Sequence, residues 1–456
     1  MLNIFASKKL DKYILITLSF STIFVLIYNI NNYEVNFGYD ADAHIRYVNA
    51  FAMYLPNNFR LPLSSETYEY FSPPVGYIFS ALVQVICRNV SNAADLVSFC
   101  VPIYGKLTQV FQSVLFLISM YFYMRAINIF LNLNKKLNLS VFIMISILTA
   151  NYRTISMIRG EPYILFFLSI IIYLFSKFTN SNFDIKRKDL FLFGLSLGLM
   201  GLSRQWGLLI YPAFFMVFFF IEKPYRRRYI NFLFIVFLIA LIILAPFFFS
   251  LFNNYGSITS FNKDSLGFDF RNQPISFYNP INQDSLKVFT KPIRGNFDNQ
   301  VLPILYADLW GDYWGYFTFT SNYLDQGRNQ ALIGDYLARV NIVSILPTFL
   351  LIAGLIKSMK NTKNKVFSKW LNYSILFSFL GYMWFLVSYP EIPSGDTIKS
   401  SYIIQMFHLL SLTAAIYLEN LKLINPRKYN ILLLLLAIVY FHNLPAMLSH
   451  FGTVSI

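Results

Sequence analysis

The sequence predicts an all-α polytopic membrane protein with about eleven transmembrane helices, its N-terminus inside and its C-terminus outside. Three observations carry that reading. The 456 residues are 56% hydrophobic, 19% aromatic and only 13% charged, whereas soluble domains run at about 45–50% apolar and about 25% charged. A soluble enzyme and a disordered chain are thereby excluded. Twelve apolar stretches approach the roughly 20 residues that cross a bilayer. The basic residues, finally, recur at every second turn between those stretches, as the positive-inside rule requires.

The stretches run near 13–30, 73–87, 104–127, 139–152, 163–176, 190–203, 206–221, 229–251, 341–356, 370–388, 402–418 and 430–449. Lys8, Lys9 and Lys12 place the start of the first span in the cytoplasm. If 73–87 crossed the membrane, Lys135/Lys136, Lys186-Arg187-Lys188 and Arg226-Arg227-Arg228 would all lie outside. It is short, opens on Pro73-Pro74 and ends at Arg88, and it reads as an interfacial helix on the outer surface. The 190–221 stretch has basic clusters at both ends, so it is a hairpin turning at Ser203-Arg204-Gln205-Trp206, with Gly194, Gly198 and Gly201 allowing close packing. The first span looks like a signal-peptide core but lacks a small-x-small cleavage site, and reads as an anchor. The inner segments then hold 22 of the 37 Lys+Arg and five of the 22 Asp+Glu. The formal +15 is a topology signal and calls for no nucleic acid.

Two segments lie outside, 31–103 and 252–340, the second rich in Asn, Asp, Gly, Tyr and Trp. Neither has the patterning of an independent domain, so residues 1–456 read as one membrane domain. Cys87 and Cys100 could make one bond, but they read as two ordinary buried thiols. Ionisable residues at mid-membrane depth mark substrate paths, and His408 is the clearest; it reads as a histidine hydrogen-bonded to a neighbouring helix. Most other polar chemistry collects at the outer ends of spans, which points to a site on the outer face.

The first outer segment opens with Asn36-Phe37-Gly38-Tyr39-Asp40-Ala41-Asp42-Ala43-His44-Ile45-Arg46-Tyr47. Asp40, Asp42 and His44 form a concentrated acid/base set. On a helix over 40–47, Asp40 and His44 share a face at i and i+4. Asp40 then sits near a helix N-terminus, where the dipole favours its ionised form. Such a carboxylate accepts a proton from an attacking hydroxyl or binds a divalent cation; equally, it caps the helix. Spacing leaves those readings level. No cofactor is required, a divalent cation is compatible, and metal ligands stay unassigned.

The run Asp40-x-x-x-His44-x-x-Tyr47, then Leu61-Pro62 and Tyr70-Phe71-Ser72-Pro73-Pro74-Val75-Gly76-Tyr77, resembles the first outer loop of GT-C membrane glycosyltransferases. The match is closest to the branch of protein O-mannosyltransferases and the lipid A aminoarabinose transferase. Those proteins carry an acid just after the first span and a Phe/Tyr-x-x-Pro-Pro segment heading a juxtamembrane helix. Ala41 stands where family members often have Glu, with Asp42 one place on. The resemblance implies a GT-C bundle and an inverting hexosyl- or pentosyltransferase of the prokaryotic cell envelope, in the plasma membrane with its site outside. Its donor would be a sugar on a polyprenyl phosphate and its acceptor a hydroxyl of a lipid, glycan or protein, deprotonated by Asp40.

A departing lipid phosphate needs cations, and five lie at outer span ends: Lys106, Arg153, Arg159, Arg204 and Lys399. Lys399-Ser400-Ser401-Tyr402 resembles the family's Lys-x-x-Tyr entry to a late span, making Lys399, with Tyr402, the first choice. Arg159 binds the donor or pairs with Glu161; Arg204, beside Trp206, snorkels to the interface or meets a headgroup. Lys106 and Arg153 occupy ordinary interfacial positions. Tyr70, Asp308, Trp310, Asp312 and Trp314 read as acceptor or pocket residues, because rings stack on sugar C–H faces while carboxylates bond hydroxyls. A polysaccharide polymerase of the O-antigen type is the rival within the class, and a lipid-linked sugar flippase the rival outside it. No phosphate loop, His-Glu-x-x-His or Cys-x-x-Cys occurs.

Overall fold

The structure, a computed structural model, describes residues 8–56, 60–91, 96–259, 261–279, 284–295, 297, 299–318, 330–360 and 365–449. The C-terminal end expected outside, beyond residue 449, lies outside the described residues, as does the tail before Lys8. Among the described residues the chain is helical, with no strand. In order the helices are α1 (Lys8–Asn32), α2 (Ala41–Tyr54), α3 (Val75–Val90), α4 (Leu96–Phe130), α5 (Leu139–Ser146), α6 (Thr149–Ser156), α7 (Glu161–Asn180), α8 (Arg187–Gly201), α9 (Tyr211–Val217) and α10 (Lys223–Tyr255). There follow α11 (Ile275–Tyr278), α12 (Val301–Trp310), α13 (Gln330–Val343), α14 (Ile345–Lys360), α15 (Lys365–Ser388), α16 (Ile404–Ile424) and α17 (Pro426–Met447).

Among the described residues eight helices are long and apolar enough to cross a membrane, or nine if a bent pair counts as one span. The expected eleven counts two further passages whose helices are shorter than these. These are the arms of 190–221, where α8 has 15 residues, about 22 Å at 1.5 Å per residue, against a hydrocarbon core of about 30 Å. They do form a hairpin: Tyr211 donates to the Leu197 carbonyl at 2.6 Å, and Gly207 lies against Met200. The glycines of α8 act as expected, since a Cβ at Gly194 or Gly198 would stand 2.8 Å from Ile239 or Ile243 of α10.

The bent pair is α5 and α6, turned by 67° across two residues. Breaking a helix inside an apolar bundle strips carbonyls of their partners, and neighbouring side chains must replace them. Here Asn151 donates to the Ile145 carbonyl and Tyr152 to that of Ser146, both at 2.8 Å. Asn151 also meets His408 Nε2 at 2.8 Å, so His408 is a helix-to-helix partner as its sequence context implied. The bend delivers Arg153 to the layer where the polar residues gather.

The polar helix α16, with Gln405, His408, Ser411 and Thr413 buried, is the most enclosed of the long helices; α1 and α10, apolar beyond their basic first turns, lie at the periphery. The short α3 packs on α2 and α4. Its end lies against the start of α4, and Cys87 and Cys100, Cα atoms 6.0 Å apart, are disulfide-bonded. That corrects the free-thiol reading: Cys87 on α3 and Cys100 on α4, thirteen positions apart, bring their side chains together.

Candidate active site

Three backbones converge at one end of the bundle: the start of α3, the residues before α7, and the turn between α8 and α9. Val75 donates to the Leu202 carbonyl at 3.0 Å. A Cβ on Gly76 would stand 2.8 Å from the Gly160 Cα, and one on Gly160 would overlap the Ser203 carbonyl. Only glycine permits that approach, and it sets Arg159, Glu161 and Arg204 side by side.

Glu161, fully buried, faces both guanidinium groups, with Arg159 at 3.3 Å and Arg204 at 3.6 Å. Arg204 also binds Glu69 at 2.7 Å and donates to Ser72, which donates in turn to Glu69. Burial by itself would raise the Glu69 carboxyl; the Arg204 guanidinium, with His44, overrides it and brings it to about 2. His44 turns into this network, its Nδ1 2.8 Å from the Tyr77 hydroxyl, and burial lowers its imidazole to about 4. Tyr47 stacks on Tyr77 at 4.0 Å.

Asp40 stands at the N-cap of α2 in the left-handed region (φ 53°), and its side chain makes no capping hydrogen bond. The capping alternative is therefore not realised. Its side chain is 43% exposed and lies 3.8 Å from the ammonium of the buried Lys399. Burial works against that ammonium, but Tyr402 and Asp40 hold its pKa above the ordinary value. Tyr39 and Tyr402 flank both Lys399, at 4.7 and 5.6 Å, and Arg159, at 5.7 and 5.4 Å. Nη1 of Arg159 is buried with no hydrogen-bond partner in the chain.

The expected catalytic set does not converge. Asp42 points to solvent, pairing with Arg46 at 2.8 Å, because two residues along a helix is just over a half-turn away from Asp40. Of the expected phosphate ligands, Lys399, Arg159 and Tyr402 come together and Arg204 joins them through Glu161. Lys106 instead donates to the Tyr33 carbonyl at the end of α1, at 2.8 Å.

The aromatic-acidic run of 306–317 takes a different place from the pocket surface expected. Asp308 accepts from Arg153 at 2.9 Å, Tyr39 at 3.2 Å, and the Ser400 amide and hydroxyl at 2.7 and 2.6 Å. Asp312 accepts the amides of Phe317 and Thr318, and burial pushes its carboxyl up. Trp314 donates to the Ile398 carbonyl at 3.1 Å. These groups are buried and spoken for, so they hold the Lys399–Ser400 segment in place rather than face a ligand. Trp310 lines a separate cavity of about 950 Å3, almost wholly apolar, between α12, α14, α15 and α16. Tyr70 acts from behind as well, donating to the Phe261 carbonyl at 2.8 Å.

A smaller cavity of about 190 Å3 reaches Asp40, Glu69, Arg204 and Tyr402, walled by Phe71, Trp206 and other aromatic rings. Sequence reasoning missed Glu69, Tyr39 and the clamping role of Arg153. Glu69 sits one residue before the Tyr70-Phe71 motif, and that adjacency was the available signal. Among the described residues no group of three His, Cys, Asp or Glu is placed to hold a metal ion.

No family model and no curated protein matches the sequence. Solved structures do. The crystal structure of the Archaeoglobus fulgidus oligosaccharyltransferase in its apo form aligns at 12% identity with a TM-score of 0.52, over 97% of this chain and 57% of that one. This chain has the GT-C fold. The same enzyme in complex with zinc and sulfate aligns at 11% identity and TM-score 0.50, over 94% and 53% of the two chains. ArnT from Cupriavidus metallidurans bound to undecaprenyl phosphate gives 10%, 0.48, 89% and 60%. The GT-C chain described here thus spans little more than half the length of these proteins, and at such identities the likeness is one of fold.

Proposed function

We propose that this GT-C protein is a membrane glycosyltransferase that moves a sugar from a polyprenyl-phosphate carrier to an acceptor hydroxyl at the outer membrane face, with inversion. The observation that carries the reading is the cation pair Arg159 and Lys399. Both are buried, both lie between Tyr39 and Tyr402, and an Arg159 N–H lacks a partner in the chain, while the partly exposed carboxylate of Asp40 stands beside Lys399. A buried, unsatisfied guanidinium edge is costly unless an anion completes it, and arginine suits phosphate oxygens. Asp40 takes the acceptor's hydroxyl proton, the acceptor oxygen bonds to the anomeric carbon, and the bond from that carbon to the phosphate oxygen breaks. The phosphate leaves with its negative charge towards Lys399 and Arg159. Arg204 and Glu161 keep Arg159 in place.

Two further observations support the setting. The apolar cavity of about 950 Å3 suits a hydrocarbon tail. The Cys87–Cys100 disulfide ties α3 to α4, and such bonds persist in oxidising compartments, in keeping with an outer face for 31–103. The test is transfer from a labelled polyprenyl-phosphate sugar in membranes holding the protein. Asp40→Asn should lose turnover yet still bind free polyprenyl phosphate; a variant with wild-type turnover would overturn the assignment.

A further inference from the structure

The side chain of Asp40 does little to anchor itself. It makes no capping hydrogen bond, and its carboxylate lies 3.8 Å from the Lys399 ammonium, beyond hydrogen-bond range. On its C-terminal side the residue is tied to α2, because its carbonyl accepts from the His44 amide at 3.1 Å. Its other side is fixed by the preceding residue. Tyr39 is 4% exposed, its ring meets Tyr316 edge-on at 5.0 Å, and its hydroxyl donates to Oδ1 of Asp308 at 3.2 Å.

The second oxygen of that carboxylate reaches the other half of the site. Oδ2 of Asp308 accepts the Ser400 amide at 2.7 Å and the Ser400 hydroxyl at 2.6 Å. Ser400 follows Lys399, whose own amide donates to the Tyr382 hydroxyl at 2.7 Å. One fully buried carboxylate therefore holds the residue before the base with one oxygen and the residue after the phosphate cation with the other. Arg153, donating to Oδ1 at 2.9 Å and to the Asp308 carbonyl at 2.7 Å, offsets the cost of burying that charge. Tyr39, Arg153 and both Ser400 groups all donate to the Asp308 side chain. An acceptor-only carboxylate satisfies them all, and an amide of the same shape does not.

We infer that Asp308 is a positioning residue that sets the placement of Asp40 relative to Lys399, acting on the base through the Tyr39 hydroxyl and on the cation through Ser400. The inference rests on the glycosyltransferase reading above. Proton removal by Asp40 and departure of the phosphate towards Lys399 belong to one displacement, so the relative placement of the two groups enters its rate. Neither chain segment sets that placement by itself.

The experiment uses the full chain in proteoliposomes with labelled polyprenyl-phosphate donors bearing glucose, galactose, mannose or arabinose. It reads single-turnover transfer from whichever donor is used, and inhibition by free polyprenyl phosphate. Tyr39→Phe keeps the ring beside Tyr316 and Lys399 and removes only the hydroxyl. It should lower transfer about 10- to 100-fold, the scale of a misplaced reacting group, with an inhibition constant within about twofold of wild type. Asp308→Asn should lower transfer and also weaken inhibition about tenfold, because it releases Ser400 and with it Lys399. Tyr39→Phe should cost nothing further in an Asp308→Asn background, nor in an Asp40→Asn one, where no base is left to place. A merely structural effect would lower transfer in every background. Wild-type transfer by Tyr39→Phe, or an undiminished loss on top of Asp40→Asn, overturns this inference while glycosyl transfer stands. Wild-type turnover in Asp40→Asn, or a wild type that uses none of the donors, overturns the underlying reading instead. Should Asp308→Asn fail to fold, Tyr39→Phe alone and combined with Asp40→Asn decides the matter.

Discussion

Arg159→Lys separates a phosphate ligand from a structural ion pair. In the wild type one edge of the guanidinium engages Glu161 at 3.3 Å while Nη1 has no partner in the chain. A lysine keeps the charge and the pair with Glu161 but has no second edge to offer. Folding should therefore change little, whereas the donor loses one charge-assisted hydrogen bond, worth about 1.5–3 kcal/mol, or about 10- to 150-fold. Arg159→Met differs: it strands a fully buried carboxylate whose remaining partner, Arg204, is 3.6 Å away, and breaking such a pair costs about 3–5 kcal/mol of stability. The assay is donor titration in proteoliposomes, with free polyprenyl phosphate as competitor and thermal unfolding run in parallel. The expected pattern is a raised KM and inhibition constant with near-normal stability in Arg159→Lys, and a stability loss in Arg159→Met. An Arg159→Lys protein whose donor KM and inhibition constant stay within twofold of wild type would refute the phosphate role.

Asp40→Asn should lower transfer by about 10²- to 10⁴-fold, the usual worth of a positioned base, without weakening polyprenyl phosphate inhibition; single-turnover kinetics reads both. Acid should destabilise the fold. His44 falls from an ordinary 6.5 to about 4, and Glu69 from 4.5 to about 2. In each window the unfolded chain takes the proton first, so stability drops from pH 6.5 towards 4 through His44 and from 4.5 towards 2 through Glu69. Unfolding followed across that range should show His44→Gln flattening the upper part only. Gly160→Ala drives a methyl group into the Ser203 carbonyl, and should cost both folded yield and donor affinity, since Arg159 and Arg204 can no longer stand together. In intact cells an impermeant maleimide should label the partly exposed Cys87 only after reduction; labelling without reductant would contradict the bond, and labelling only after lysis the outer-face placement.

The residues of the site were legible in unequal degree. Asp40, Lys399, Arg159 and Arg204 drew notice because charges are costly near apolar spans, so each marked its own place. Asp308 and Asp312 looked like a sugar surface because aromatic and acidic neighbours in sequence say nothing of which way they face. Arg153 was passed over as an interfacial cation, although the bend between α5 and α6 turns it inward onto Asp308 and Asp312.

What the sequence alone determined is the membrane character of the chain, the hairpin at 203–206, the glycine face of α8 fit for close packing and the motif around Asp40. These follow from composition, charge placement and local spacing, which neighbouring residues decide. Tertiary structure alone decided that Cys87 meets Cys100, and that Asp42 faces solvent while Asp40 faces Lys399. It also decided which cations become one site. Arg159 and Arg204 stand together because two glycines let three backbones touch, and Lys399 is brought to them by the hold of Asp308 on Ser400; no local pattern encodes a contact between segments so far apart in the chain.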